Sequence, residues 1–394
     1  MTAARFRRFR GAIRELDATR PVGIGCCDVH AVPTGMFADL DISGWNYGAK
    51  YRNVKEKHPD KPVLYTESAS AVSSYGHYEM PPAPHKTAFD SDVREVSGYE
   101  HNAVPWGDIA DVEFARMESD RYCGGEFVWT GIDYLGEPTP YNNESRSSYF
   151  GICDLMAFPK DRYWLYRSHW NEKAHTLHIA PHWNWEGREG RNVPVYVYTD
   201  GDEAELFLNG KSLGRRKKGE AQRAAGQGDG EKFRTNKYYD VCDRYRLRWL
   251  DVPYQPGELK AVAYKAGKKI GEKTMRTAGS QAAVRLTREG RWMPDYGDYE
   301  RLSFVQVEVV DADGTPDPIA ANRVKFKIEG PGRILAVGNG DARAMESFKK
   351  VDSHPLYNGR ALVVVRREKG GKGRIKLTAS ADGLEPAEIV ITDF

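Results

Sequence analysis

The run Pro62-Val63-Leu64-Tyr65-Thr66-Glu67, followed by Ser68-Ala69-Ser70-Ala71, decides how this 394-residue chain is read. Pro62 opens it, apolar, aromatic or β-branched residues fill it, and a carboxylate closes it. This is the pattern of a short buried strand with an acid at its C-terminal tip, the end at which parallel barrels keep their chemistry. Three runs of the same kind surround it: Val22-Gly23-Ile24-Gly25-Cys26, residues 39–47 ending in Gly44-Trp45-Asn46-Tyr47-Gly48, and Gly124-Gly125-Glu126-Phe127-Val128-Trp129. Helical segments lie between them. The first ends near Leu16, with Phe6, Phe9, Ile13 and Leu16 spaced for one packed face. Two more cover residues 51–58 and 106–119. Strands alternating with helices imply parallel pairing through right-handed crossovers. A parallel sheet is closed or covered on both faces. Four such strands leave unpaired edges and an open interior, so a preceding segment upstream of Met1 is expected.

Beyond residue 172 the hydrophobic period changes to two. Residues 193–199 and 204–208 read as strands, and Asn209-Gly210 is a two-residue hairpin turn. Residues 259–264, Gly267 and Ile270 repeat the style. Residues 219–232, rich in Gly, Ala and charge, read as a mobile loop. From about 280 a third unit follows. Strands at 304–310, 324–328, 361–365, 375–379 and 389–391 are separated by turns such as Asp311-Ala312-Asp313-Gly314. The expected division is 1–172 for the strand–helix unit, 173–279 for a β-sandwich and 280–394 for an immunoglobulin-like β-sandwich. The fold class is thus α/β plus all-β.

Composition narrows the function. A net charge of +2 gives no pull toward nucleic acid or an anionic membrane. Arg215-Arg216-Lys217-Lys218 reads as a solvated loop after a hairpin. No run of about 18 apolar residues exists to span a membrane, and residues 1–14 are basic without the apolar middle of a secretory signal. The compartment stays open. The five cysteines are odd in number with no CxxC spacing, against both a disulfide framework and a zinc site. His30, His77 and His85 lack a second ligand at useful spacing, so no metal and no cofactor are expected. Gly370-Gly371-Lys372-Gly373 opens no helix and reads as a hairpin turn. Nine Trp and 22 Tyr supply flat rings that suit sugar faces as well as β-sandwich cores.

Glycoside hydrolysis takes two carboxyl groups, about 5–5.5 Å apart in retaining enzymes. Glu67 is the nucleophile candidate, with a buried structural glutamate as the plain alternative. Trp45, Asn46, Tyr47 and Trp129 end neighbouring strands and would face the same mouth. Trp129 would floor a sugar subsite and Tyr47 would hydrogen-bond the nucleophile, unless these rings simply plug the barrel. Asp133 and Glu137, in the loop after Trp129, would bind sugar hydroxyls or stand in solvent.

Taken in order, Ile13-Arg14-Glu15-Leu16-Asp17-Ala18-Thr19-Arg20-Pro21, Gly44-Trp45-Asn46-Tyr47, Thr66-Glu67, Gly125-Glu126-Phe127-Val128-Trp129-Thr130-Gly131, the run from Ser147-Ser148-Tyr149-Phe150-Gly151 to Phe158-Pro159-Lys160-Asp161, and Pro181-His182-Trp183-Asn184-Trp185 resemble glycoside hydrolase family 2, most nearly its bacterial β-galactosidases. The resemblance spans nearly the whole chain. It implies strands five to eight of a (β/α)8 TIM barrel followed by two immunoglobulin-like sandwiches. It also implies Glu67 as nucleophile, Trp129 as pocket wall and Tyr47 as the nucleophile's partner, acting on a β-galactoside. The family's acid/base glutamate follows an asparagine before the Arg-Glu-Leu-Asp motif. No Asn-Glu precedes that motif here, and Asn143-Glu144 comes too late. The chain is therefore expected to be inactive alone and to need an N-terminal half, or a homo-oligomer. β-Glucuronidase and β-mannosidase are the alternative specificities, and no Arg or Lys motif beside Trp129 marks a uronate. A non-catalytic carbohydrate-binding or scaffolding protein, using Trp183, Trp185 or Trp292, is the alternative class.

Overall fold

The computed structural model describes residues 3–89, 92–142, 145–221, 240–289 and 302–392. The first third runs α1 (Ala3–Leu16), β1 (Gly23–Cys26), β2 (Ile42–Asn46), α2 (Tyr51–Lys57), β3 (Val63–Ala69), α3 (Ala110–Ser119), β4 (Cys123–Trp129) and α4 (Asp161–Trp170). The four strands form one sheet in the order β1-β2-β3-β4, with parallel pairing throughout. Val63 and Tyr65 of β3 enter a core with Phe37, Trp45, Tyr51 and Val54. The opposite face is more open. There Thr66 lies against Gly25 and Gly44, where an added Cβ would meet its side chain, and Phe127 is 61% exposed.

Three expectations shift here. β2 begins at Ile42, because residues 36–39 form a 3-10 turn. α3 begins at Ala110 rather than 106. On α1 only Phe6 is buried, while Phe9, Ile13 and Leu16 are exposed. The apolar spacing of α1 was legible, yet nothing among the described residues covers that face. Its basic side chains do tie down the helix, with Arg10 and Arg14 both pairing to Asp41.

The rest of the chain is antiparallel sheet. Strands β5 (Leu177–Ala180), β6 (Asn192–Thr199), β7 (Glu203–Leu208), β8 (Lys211–Lys217), β9 (Leu247–Pro253), β10 (Glu258–Lys265) and β11 (Lys268–Arg276) build two sheets, β5-β6-β9 and β11-β10-β7-β8. Val193, Val195 and Val197 of one meet Leu206, Leu208 and Leu259 of the other around Trp183 and Trp249. Asn209 and Gly210 both take positive φ in the β7–β8 turn, the geometry that a tight primed hairpin demands. Strands β12 (Gln281–Glu289), β13 (Leu302–Asp311), β14 (Arg323–Glu329), β15 (Gly332–Gly338), β16 (Ser353–Pro355), β17 (Arg360–Arg367), β18 (Ile375–Ser380) and β19 (Ala387–Ile391) form a second sheet pair, β12-β13-β17-β15 over β16-β14-β18-β19, sharing one valine-rich core.

Two readings of polar runs are corrected. Arg215 to Lys217 belong to β8, and Lys218 follows directly. Arg215 pairs with Glu203 and lies over the Tyr264 ring, Arg216 donates to the Arg248 carbonyl, and the Lys218 ammonium caps the Thr199 carbonyl. The run is therefore strand and not loop: Arg216 and Lys218 are drawn onto the sheet, while Arg215 and Lys217 stay exposed. The Gly370–Gly373 turn joins β17 to β18, which lie in different sheets, so it is a crossover and not a hairpin. Of the expected mobile loop, residues 222–232 lie outside the described residues, as do Trp292 and Asn143-Glu144.

Candidate active site

Strict alternation along β3 would put Glu67 on the same face as Val63 and Tyr65, inside the helix-covered core. It does not go there. Trp45 and Asn46 are consecutive on β2, yet pair with Tyr65 and Glu67. On the other side, Tyr65 and Ser68 pair with Glu126 and Val128. Both neighbours thus count one extra residue on β3, which is a β-bulge; such bulges re-aim side chains next to active sites. Ser68 takes the buried position, and Thr66 and Glu67 both turn away from the helices.

Tyr47, just past the end of β2, meets the re-aimed carboxylate. Its hydroxyl donates to Glu67 Oε2, and its backbone N–H donates to the Glu67 carbonyl at 2.7 Å. Tyr47 has φ of +58°, and Ala69 and Ser70 have +61° and +56°. Three non-glycine residues in the left-handed region around one acid mark a backbone held by its surroundings. Burial, and then the hydrogen bond to Glu67, push the Tyr47 phenol well up, so it stays a donor. Beneath the tip, Glu113 is fully buried and accepts from the Tyr65 hydroxyl at 3.1 Å, the Ala69 N–H at 3.4 Å and Arg116 at 2.8 Å. Asn46 accepts from the Thr66 hydroxyl at 2.7 Å, tying β2 to the bulge.

The strand register sets Trp129 beside Ala69. Its indole is half-buried, with Tyr134 edge-on at 5.8 Å between centroids. The Tyr134 hydroxyl donates to Glu137, and burial followed by that bond raises its phenol; the charge of Glu67 adds to the shift. Tyr134 also acts on Tyr47 electrostatically. One cluster therefore gathers Glu67, Tyr47, Trp129, Tyr134 and Glu137. Tyr134 was not singled out in the sequence. The one available signal was an aromatic residue among the polar turn residues that follow Trp129.

Two expected site residues sit elsewhere. Trp45 is fully buried, stacked on Phe37 at 4.8 Å, with its indole N–H on Ser43; strand alternation points it into the core. Asp133 is buried in an ion pair with Lys160 at 2.6 Å and accepts from the Gly151 N–H at 2.7 Å. Burial lifts its carboxyl to about 6 against the pull of Lys160. Its lone pairs serve the loop, not a sugar. Trp183 is fully buried in the core of the middle sheet pair, and Trp185 stacks on His182 at 4.3 Å and meets the Tyr78 ring, so both serve packing. Among the described residues no three His, Cys, Asp or Glu side chains group to hold a metal ion.

Residues 296–390 match the family described as glycoside hydrolase family 2 C-terminal domain 5, and residues 190–271 match a domain of unknown function, DUF4982. The chain is 38% identical over 393 residues to the beta-galactosidase BoGH2A of Bacteroides ovatus, covering 96% of this chain and 42% of that protein. It is 27% identical to a putative beta-glucuronidase of Formosa agariphila, covering 89% of this chain and 35% of that protein. Among solved structures, a beta-glycosidase from Bacteroides vulgatus superposes with a TM-score of 0.80 at 26% identity, over 100% of this chain and 49% of that one. A family 2 glycosyl hydrolase from Bacteroides cellulosilyticus gives 0.72 at 28%, over 99% and 46%. The chain thus spans less than half the length of each of these relatives. Residues 296–390 carry a glycoside hydrolase family 2 C-terminal domain, and nearly the whole chain is similar to the C-terminal part of longer family 2 proteins.

Proposed function

We propose that the chain supplies the nucleophile half of a retaining β-glycosidase of β-galactosidase type. The observation that carries this reading is the bulge in β3, which turns Glu67 out of the core and onto the Tyr47 hydroxyl. In the first step a Glu67 oxygen attacks the anomeric carbon while an acid protonates the departing glycosidic oxygen. The product is a glycosyl ester of Glu67. In the second step water, deprotonated by the same acid/base group, displaces Glu67 and restores both residues. Tyr47 holds the carboxylate in place for attack, and Trp129 with Tyr134 walls the sugar.

The division is 1–172 as strands five to eight of a (β/α)8 barrel, 173–279 as a β-sandwich and 280–394 as an immunoglobulin-like sandwich. The open edges of β1 and β4 and the exposed Phe127 support completion of the barrel by a further β/α segment that brings the acid/base glutamate. Without that acid, a factor of about 10²–10⁴ is missing, and the chain alone turns over negligibly. The test joins or mixes the chain with such a segment and assays an aryl β-galactoside. A 2-fluoro-galactoside then traps the ester, and the label must fall on the peptide holding Glu67. Label on another residue, or full activity in Glu67→Gln, refutes the assignment.

A further inference from the structure

The relatives divide between proteins named as beta-galactosidases and as beta-glucuronidases, whose sugars differ in charge at C6. From the cluster around Glu67, we infer that the Tyr134–Glu137 arm is a specificity element that favours neutral hexopyranosides and disfavours uronates. The inference rests on the glycoside reading of this same site. Glu137 lies in the loop after β4, and its carboxylate is not left to wander: the Tyr134 hydroxyl holds it. Tyr134 in turn is fixed edge-on to Trp129, which pairs beside Ala69 at the tip of β3, and it feels the charge of Glu67 directly. Its backbone is fixed as well, since Tyr134 N–H donates to Ser148 Oγ at 3.1 Å and its carbonyl accepts from the Ser148 N–H at 2.8 Å. The result is a second negative charge held at a set place on the wall, in addition to Glu67 itself. The C6 hydroxyl of a neutral sugar can donate to such a carboxylate, whereas the C6 carboxylate of a uronate meets like charge and has no proton to donate. Glu137 is exposed, so the effect is that of an exposed charge: a factor of about three to five, shrinking with salt.

The test uses the full chain and two ligands that differ only at C6, methyl β-galactopyranoside and methyl β-galactopyranosiduronate, titrated by saturation-transfer NMR at low and high salt. In Glu137→Gln the affinity ratio of galactoside to uronate should fall about three- to fivefold at low salt, and much less at high salt. Tyr134→Phe, which only releases the tether, should move the ratio the same way by a smaller factor. If the galactoside binds and the ratio is unmoved in both variants, the inference is overturned while the glycoside reading stands. If neither ligand binds the unaltered chain, alone or completed by the further β/α segment, the glycoside reading of the site fails and the inference falls with it.

Discussion

At the scale of single residues, two side chains carry testable consequences. Tyr47 makes a charge-assisted hydrogen bond to Glu67; such bonds contribute about 1.5–3 kcal/mol. In the assembled enzyme, Tyr47→Phe should therefore lower kcat on an aryl β-galactoside about 10- to 100-fold with the fold unchanged by circular dichroism. An unaltered kcat would remove Tyr47 from the site. Glu126 stands on the opposite face of the sheet, behind Ser68, where burial raises its carboxyl to about 7. Unfolded, the same group titrates near the ordinary glutamate value of about 4.3. Between those two values the folded state holds the extra proton, so stability falls as pH rises through the window and stays reduced above it. Glu126→Gln should raise the melting temperature at pH 8, by a stability gain on the order of 3 kcal/mol, and change little at pH 4. A gain at pH 4 equal to that at pH 8 would refute the titration argument.

At the scale of elements, the end of β3 is the feature on which the site turns. Gly107 packs against it so closely that an added Cβ would stand 2.1 Å from the Ala69 carbonyl oxygen and 2.8 Å from the Ser70 Cβ. The neighbouring Asp108 N–H donates to that carbonyl at 2.7 Å. Gly107→Ala must push the strand tip aside, and overpacking of this kind costs about 1–3 kcal/mol. Chemical denaturation should show that loss; wild-type stability would mean that the tip is free to move. The four parallel strands were readable because each is a short apolar run with a distinctive end. The bulge was not, since an extra residue in one strand is defined only against its partners, and the sequence carries no register. Trp45 was placed in the mouth for a similar reason: by strict alternation it shares a face with Tyr47, and what separates them is the left-handed backbone at Tyr47, φ +58°, just past the strand end. Asp133 was misjudged because its partner, Lys160, lies 27 residues away in the path that leads to α4. Strands β5, β9, β12, β15 and β16 and helix α4 were passed over, the helix because its aromatic residues face several neighbours and leave no single apolar stripe.

At the scale of the whole molecule, the last sheet pair reaches back to the site. The segment between β15 and β16 offers the Ala342 carbonyl to two N–H groups, of Arg146 at 2.8 Å and of Ser147 at 3.1 Å. The Arg146 guanidinium donates to the carbonyls of Ala344 at 3.3 Å and Glu346 at 2.8 Å and lies over the Phe348 ring. Residues 146–148 then clasp the wall of the site. Ser147 Oγ and the Ser148 N–H both reach the Tyr134 carbonyl, and the Arg146 carbonyl accepts from the Gly136 N–H at 3.3 Å. A chain of contacts therefore runs from the C-terminal sandwich through Arg146 to Tyr134. Arg146→Ala strips the two charge-assisted bonds at its head, each of about 1.5–3 kcal/mol, and leaves the strap to open locally more often than the fold as a whole. The amides of Tyr134, Gly136 and Ser148 should then exchange with solvent at least about tenfold faster, since 1.4 kcal/mol of lost protection is a factor of ten. The amides of β3 should keep their rates. Uniform acceleration across both regions would instead mean global destabilisation, and no acceleration at all would mean that the sandwich does not brace the site.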